Sequence, residues 1–359
     1  MKIAFVLPWI SNFPIGGYKI VYEYCNRLND LGFNITIIYT YNYRREKDWR
    51  NVLRRYRWFH SKIKNHKIAW FELNPEIKQL KVFNYSDIES FSFDAIFATA
   101  IETSFPIAEL PDTCGKKFYF IQSWENWGRY NDDEVIESLK LGLLNIVISK
   151  WLLDKCREIN ISVKYIPNGL NFETFRVNNN IELRDKYEIL MLGHNKNSKG
   201  MNDGIEAAKI VKYKYPNLQL KIFSASEIRN LDLINNDWIE IIYNPSEHEL
   251  LNLYNKASIF VAPSWIEGWG LTASEAMQCG CAVIATENGG HQNFAIDNLT
   301  ALTVPIKSPT SIAKKIEALI ENDELRFKIA REGNKFIQRF QWHHSVNELS
   351  MLINDECSK

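Results

Sequence analysis

Two carboxylates, Glu267 and Glu275, stand eight positions apart in the segment WIEGWGLTASEAMQCGCAVIAT. Gly268 and Gly270 predict a loop around Glu267, whereas LTASEAM contains good helix formers and places Glu275 in a short helix. The first N–H groups of a helix have no partner within it, so this helix start is suited to a phosphate. Ionised carboxylates accept hydrogen bonds from hydroxyls. The segment therefore predicts a nucleotide-sugar site, the alternative being two solvated acids without a ligand.

Composition limits the classes of protein to consider. The chain has 359 residues and 46% apolar content, which predicts two domains. Lys plus Arg equals Asp plus Glu at 43 each, so no overall charge attracts the protein to nucleic acid. Six cysteines without metal-ligand spacing indicate reduced thiols. The start MKIAFVLP lacks the pattern of a secretion signal, and we expect a cytoplasmic protein.

One segment, from Tyr41 to Trp70, departs from this balance. It has ten Lys or Arg residues against Glu46 and Asp48, and ten minus two gives a local charge of +8. Aromatic residues are interleaved with these charges, a composition that suits an anionic membrane surface. We expect peripheral membrane contact through Arg44 to Lys67, the alternative being a solvated arm. Nucleic-acid binding is disfavoured because the overall charge is zero.

Short apolar segments alternate with helical patterns along the chain, which predicts an α/β protein with doubly wound parallel sheets. The first forty residues give a strand, a loop through Gly16 and Gly17, a helix and a second strand. A second unit begins after IPNGLNFETF, residues 166–175. The predicted strands are Ile3–Leu7, Ile35–Tyr39, Ala95–Thr99, Lys117–Ile121, Ile146–Ile148, Ile189–Leu192, Gln219–Phe223, Ile239–Tyr243, Ile259–Ala262 and Ala282–Ala285.

Several of these segments together resemble the family 4 retaining glycosyltransferases of the GT-B fold. EGWGLTASE is similar to the family's E-x7-E motif, and IPNGLNFETF and MLGHNKNSKG resemble two further motifs. FQW, residues 340–342, resembles the segment that leads a final helix back to the first domain. The resemblance implies two Rossmann-like domains facing across a cleft. An acceptor-binding domain would span residues 1–168 with the helix 341–359, and a donor-binding domain residues 169–340.

The resemblance also implies an activity. It is a retaining, hexosyltransferase-type reaction that moves a sugar from a nucleotide diphosphate sugar to a hydroxyl of a glycan or a lipid-linked glycan, in polysaccharide biosynthesis. The sequence has no DxD triplet, so we expect no metal and no other cofactor. The alternative is a non-catalytic subunit that binds a nucleotide-sugar.

Residue roles follow from the same motifs. Glu267, Lys199 and His194 would be catalytic, with His194 at the position of the family's arginine. The implied donor-binding residues are Gly16, Gly17, Tyr243, Asn244, Gly268, Trp269, Gly270, Leu271, Thr272 and Glu275. In the predicted loop QSWENWGRYNDDE, aromatic rings lie next to hydrogen-bonding groups, which suits a sugar acceptor. Its candidates are Trp124, Glu125, Trp127 and Arg129, with core packing of the rings an equal alternative.

Overall fold

The computed structural model describes residues 1–40, 68, 70–126, 130–229 and 236–358. It divides into two compact units. The first comprises Met1–Asn168 together with His343–Lys359, and the second comprises Gly169–Trp342. Each unit is built on one parallel sheet with helices between its strands.

The first unit contains a seven-stranded sheet in the order β3-β2-β1-β4-β5-β6-β7, in which every neighbouring pair is parallel. The central strands are continuous apolar runs because helices cover both faces of such a sheet. Its strands are β1 Lys2–Leu7, β2 Asn34–Tyr39, β3 Lys78–Lys81, β4 Ala95–Ala98, β5 Lys116–Ile121, β6 Leu144–Val147 and β7 Lys164–Tyr165. Its first helices are α1 Gly16–Asp30, α2 Ile101–Glu109, α3 Asp132–Leu139 and α4 Lys150–Glu158.

The second unit contains a six-stranded parallel sheet in the order β10-β9-β8-β11-β12-β13. Its strands are β8 Glu188–Leu192, β9 Gln219–Ser224, β10 Ile239–Tyr243, β11 Ile259–Ala262, β12 Ala282–Thr286 and β13 Leu302–Val304. Its helices are α5 Met201–Lys214, α6 Glu247–Lys256, α7 Leu271–Gln278, α8 Pro309–Glu321 and α9 Asp323–Ile337.

Local sequence explains where several of these helices begin. Ser246 and Glu249 form a capping box at the start of α6, in which each satisfies the other's backbone N–H. Pro309 stands at the first position of α8, where its missing N–H costs no hydrogen bond. Asn322 caps α9 by accepting from the Leu325 N–H at 2.9 Å.

The last helix, α10 Trp342–Cys357, returns to the first unit. The Cys357 Sγ lies 3.3 Å from the Asp94 carbonyl oxygen, and the Lys116 Nζ lies 3.4 Å from the Glu356 carboxylate. At the start of α10, the Trp342 ring packs so closely on Gly169 that any side chain at position 169 would collide with it.

The ten predicted strands are present, each with bounds within two residues of the prediction. Three edge strands, β3, β7 and β13, are not among the ten, because KQLK and KY are short and polar and LTV has only three residues. All six cysteines are free. Within the described ranges, no three His, Cys, Asp or Glu side chains form a group that could hold a metal ion. No helix in the described part of the chain is long and apolar enough to cross a membrane.

Candidate functional site

The order of strands in the second sheet creates a switch point between β8 and β11. The chain leaves β8 toward one side of the sheet and β11 toward the other, and ligands of doubly wound sheets bind at such a point. Hydrogen bonds tie the two loops together. The Trp265 N–H donates to the Ser198 carbonyl at 2.8 Å, and the Trp265 indole donates to Asp203 at 2.6 Å.

Gly200 permits this close approach. Its φ of +65° is left-handed, and a Cβ at this position would fall on the Pro263 carbonyl oxygen. The glycine was expected from the sequence as part of a motif, and the structure shows that it is required where the β8 loop meets the β11 loop.

Lys199 and Glu267 meet at this point. The Lys199 Nζ lies 2.7 Å from the Glu267 Oε1, with side chains that are 26% and 16% exposed. Burial raises the pKa of Glu267. Lys199, His291 and a hydrogen bond from Ser264 together lower it by more, so the net shift is downward. Glu267 is therefore an ionised carboxylate that can accept hydroxyl protons, and Lys199 is a cation beside it.

His194 lies in the loop after β8. Its Nδ1 accepts a hydrogen bond from the Lys196 N–H at 2.9 Å, which places the proton of the neutral ring on Nε2. Burial lowers the pKa of His194, and Lys199 and Lys196 lower it further against the opposing effect of Glu267. An unperturbed histidine is charged part of the time at neutral pH. The structure makes His194 chiefly a neutral Nε2–H donor.

Helix α7 starts beside this ion pair, with Gly270 at its N-cap in a left-handed conformation, φ +99°. The amides that follow, those of Leu271 and Thr272, are at the positive end of the helix dipole. Trp269 is only 3% exposed, donates from its indole to the Ser274 Oγ at 3.1 Å and packs edge-on against Phe340. The Trp269 side chain therefore anchors the loop, and donor binding by its backbone amide stays a prediction.

Three further candidates of the second unit lie inside α7 and at the end of β10. Glu275, inside α7, is 7% exposed and accepts from the Tyr254 hydroxyl at 3.2 Å. Tyr243 ends the edge strand β10, two strands from β8, and is 45% exposed. Asn244 follows it with φ +48° and donates its N–H to the Ser224 carbonyl at 2.7 Å.

Sequence reasoning missed Gly290 as a residue that shapes this site. A Cβ on Gly290 would lie 2.7 Å from the Trp269 backbone nitrogen and 2.8 Å from the Glu267 Cβ. The loop after β12 therefore packs against the loop that contains Glu267, and this close contact requires that position 290 has no side chain. The signal in the sequence was the Gly289-Gly290 pair, which follows the strand after two residues.

In the first unit, Gly16 and Gly17 are the first two residues of α1. A Cβ on Gly17 would lie 3.3 Å from the Gln122 side-chain nitrogen, so the end of β5 approaches the start of α1 closely. Glu125, also after β5, accepts from the Ile101 N–H at 2.7 Å and so caps α2.

Trp124 does not present an open ring, which corrects the expectation that it binds an acceptor. It is 5% exposed, its indole donates to the Asp132 Oδ1 at 2.6 Å, and the Lys155 Nζ lies 4.5 Å from its ring centroid. Core packing was the other interpretation of this ring, and the structure favours it. Trp127, Arg129 and the basic segment Arg44 to Lys67 lie outside the described residues.

Comparison with known proteins adds to this geometry. Residues 172–336 match the family model "Glycosyl transferases group 1". The chain is similar over 99% of its length to sucrose-phosphate synthase from Thermosynechococcus elongatus, of which 99% is covered, with a TM-score of 0.78 and 16% identity. It is also similar to Anabaena HepE in complex with UDP and glucose, with a TM-score of 0.75, 14% identity, and 99% and 100% of the two chains covered. The chain has the GT-B fold.

A curated relative of this GT-B chain is the capsular polysaccharide biosynthesis glycosyltransferase CapM of Staphylococcus aureus. The two are 29% identical over 262 residues, which cover 67% of this chain and 66% of CapM. The matches span between 26% and 66% of the lengths of the first curated relatives. The family model itself matches the second unit of the GT-B fold, the unit that contains Lys199 and Glu267.

The buried carboxyl group of Glu125 should make the stability of this GT-B chain depend on pH. Burial raises the pKa of Glu125 to about 7, with a smaller raising effect of Glu102 and an opposing effect of the Ile101 N–H. The folded protein holds this proton between roughly pH 4.5 and 7 while the unfolded chain has lost it, so the free energy of unfolding falls as pH rises through this range. We expect Glu125→Gln to raise the free energy of unfolding by about 2 kcal/mol at pH 8 and by little at pH 4.

Denaturant unfolding at both pH values measures this difference. Glu109→Gln is the matched control, because Glu109 is an exposed acid at the end of α2, the helix whose first N–H donates to Glu125. The control should change stability by less than about 0.5 kcal/mol at either pH. A gain of equal size at pH 4 and pH 8 for Glu125→Gln would show that ionisation of Glu125 is not its cause.

Proposed function

We propose that this protein is a retaining, metal-independent glycosyltransferase of family 4. It transfers a hexose from a nucleotide diphosphate sugar, with UDP as the first nucleotide to test, to a hydroxyl of a glycan or lipid-linked glycan in polysaccharide biosynthesis. The observation that carries the proposal is the Lys199–Glu267 pair at the switch point, next to the start of α7. UDP and glucose in HepE and the polysaccharide role in the name of CapM support it.

Each group of residues binds the part of the donor that its charge complements. The diphosphate is an anion, so it binds at the α7 amides, at the Lys199 ammonium and at the Nε2–H of His194. Glu267 is an acceptor and takes hydroxyl groups of the sugar. Glu275 binds the ribose hydroxyls, and Tyr243 and Asn244 lie near the base. Gly16 and Gly17, in the first unit, stay donor-binding candidates on the resemblance alone.

The chemical step breaks the bond between the sugar C1 and the phosphate oxygen and forms a bond between C1 and the acceptor oxygen on the same face. The acceptor proton passes to the departing phosphate oxygen. A two-step route through a covalent intermediate needs a carboxylate on the opposite face of the sugar. Among the residues that the structure describes no candidate is evident, because Glu267 is paired with Lys199 and Glu275 with Tyr254. Stabilisation of the leaving diphosphate is then the main contribution of the protein.

Metal independence has its own support. The sequence has no DxD triplet, and Lys199 supplies a fixed positive charge at the site. The test is activity in the presence of EDTA, which should equal activity with added Mg²⁺ or Mn²⁺. A rate that depends on either ion would remove this part of the proposal.

The experiment for the function itself is a thermal shift screen of UDP-glucose, UDP-galactose, UDP-N-acetylglucosamine and GDP-mannose, followed by a transfer assay. A bound donor raises the melting temperature in proportion to the logarithm of its concentration over Kd. Nuclear magnetic resonance of the product gives the anomeric configuration, which should be that of the donor. Stabilisation by a donor without transfer or hydrolysis would favour the non-catalytic subunit.

Glu275 provides a test of the donor site. We expect Glu275→Ala to raise the donor KM by about tenfold with little change in kcat, because a lost hydroxyl contact in the bound state weakens ground-state and transition-state binding equally. Tyr254→Phe is the control, since it removes the hydroxyl that donates to Glu275 and leaves the carboxylate. Equal KM values for the two variants would assign Glu275 a structural role only.

The proposal places the protein in the cytoplasm, peripheral to the membrane face where lipid-linked acceptors are assembled. Its support is the +8 charge and the aromatic residues of the basic segment, Arg44 to Lys67, in the sequence. Co-sedimentation with vesicles containing anionic lipid, compared with purely zwitterionic vesicles, measures this contact. Equal binding to both kinds of vesicle at low salt would contradict it.

A further inference from the structure

His291 takes no part in donor binding in the proposed function, although it lies beside the start of α7. It follows Gly290 in the loop after β12 and is only 2% exposed. A Cβ on Gly270 would lie 2.6 Å from the His291 Cδ2 and 3.0 Å from its Nε2. The Cδ2–Nε2 edge of the ring therefore occupies the space that a side chain at the N-cap of α7 would take.

Hydrogen bonds fix the ring and its tautomer. The Asn288 Oδ1 accepts from the His291 N–H at 3.1 Å, and the two Asn288 amide hydrogens point to the Ser264 carbonyl at 2.8 Å and the Thr286 Oγ1 at 3.1 Å. The His291 Nδ1 lies 3.0 Å from the Thr286 carbonyl oxygen, which can only accept. The Asn288 Nδ2 also lies 3.0 Å from Nδ1, but its two hydrogens point to the Ser264 and Thr286 oxygens, so the proton of the neutral ring is on Nδ1. Among the described residues, Nε2 has no hydrogen-bond partner.

The surroundings keep this ring neutral. Burial lowers the pKa of His291, and Lys199 lowers it further, while Glu267 and the Thr286 carbonyl act in the opposite direction with a smaller combined effect. A neutral ring with its proton on Nδ1 presents Nε2 as an acceptor. Phosphate oxygens of an ionised diphosphate have no proton to donate to it, whereas a sugar hydroxyl has one.

We propose that the His291 Nε2 accepts a hydrogen bond from a hydroxyl of the transferred sugar, and that His291 helps to determine which sugar the protein uses. The inference rests on the proposed function, because it needs a nucleotide-sugar at the start of α7. Glu267 and His291 are then two neighbouring acceptors for two hydroxyls. A donor without the hydroxyl that faces Nε2 leaves a buried acceptor unpaired and binds more weakly.

Two substitutions separate this role from a structural one. His291→Asn places an amide N–H where Nδ1–H donates to Thr286 and removes Nε2. His291→Gln reaches the position of Nε2 with an oxygen that can accept a hydroxyl, and it gives up the bond to Thr286. If His291 only holds its loop, His291→Asn should be the more stable variant and should bind the nucleotide-sugar at least as tightly. If Nε2 binds sugar, His291→Gln should bind the nucleotide-sugar more tightly than His291→Asn.

Isothermal titration measures the outcome with two probes, UDP-glucose or the strongest binder of the donor screen, and the matching nucleoside diphosphate. For His291→Asn we expect the Kd of the nucleotide-sugar to rise about tenfold and that of the nucleoside diphosphate to stay within twofold. For His291→Gln both values should stay within about threefold.

Two results would overturn the inference while the proposed function stands. One is unchanged nucleotide-sugar affinity in His291→Asn, and the other is an equal loss for both probes in both variants, which would indicate loop packing. If the unmodified protein binds no nucleotide-sugar at all, the proposed function fails and the inference fails with it. Circular dichroism melting curves of both variants establish that each is folded.

Discussion

Replacement of Lys199 by alanine is expected to lower kcat on the order of 10²-fold to 10³-fold, the effect seen when one preorganised charge-stabilising group is removed. In the proposed site the leaving diphosphate loses the Lys199 cation, and His194 does not replace it because the pKa of His194 is lowered. The same substitution leaves Glu267 half-buried without the ammonium 2.7 Å away. Initial rates at saturating donor measure kcat, and single-turnover rates show whether the chemical step is affected.

Lys209→Ala is the matched control for this prediction. Lys209 is an exposed lysine in α5, the helix that follows Lys199, so the control removes the same charge from the same unit away from the switch point. Its kcat should stay within twofold of the unmodified protein. If Lys199→Ala raised only the donor KM and left kcat unchanged, Lys199 would be a binding residue without a role in the transition state.

The second large effect is expected for Gly200→Ala. The left-handed φ of +65° costs an alanine roughly 1 kcal/mol, and the new Cβ would fall on the Pro263 carbonyl oxygen, part of a backbone that cannot rotate away. Overpacking of this kind adds about 1–3 kcal/mol. We expect a loss of about 2–4 kcal/mol in the free energy of unfolding of the second unit. Activity should fall as well, because the loops that hold Lys199 and Glu267 must separate.

Gly280→Ala isolates the steric part of this loss. Gly280 has a similar φ of +79° in the same unit, but its Cβ would meet the flexible ends of the Ile181 and Val177 side chains. This control should cost about 1 kcal/mol, mainly from the backbone conformation. Urea unfolding of both variants, with activity measured on the folded fraction, compares them. Equal losses would mean that the close approach of Gly200 to Pro263 contributes nothing to stability.

Much of the fold was predictable from local sequence. Strands buried on both faces of a parallel sheet must be continuous apolar runs, and Ile259–Ala262 was predicted with the bounds that the structure shows. The loop at Gly268 and Gly270 and the helix that contains Glu275 were likewise predictable, because glycine and helix-forming residues act over a few positions. The edge strands β3, β7 and β13 were not, because their stability comes from pairing with a neighbour.

The sequence by itself determined the residue types that could bind a phosphate and a sugar, and the two sheets that would hold them. Only the tertiary structure decided which of these residues meet. Lys199 and Glu267 are 68 positions apart. They form an ion pair because β8 and β11 are neighbours in the sheet and because Gly200, without a side chain, leaves room for the Pro263 carbonyl oxygen. Strand order and close packing are properties of the whole folded chain, so burial of Trp124 and Trp269 was decided at the same level.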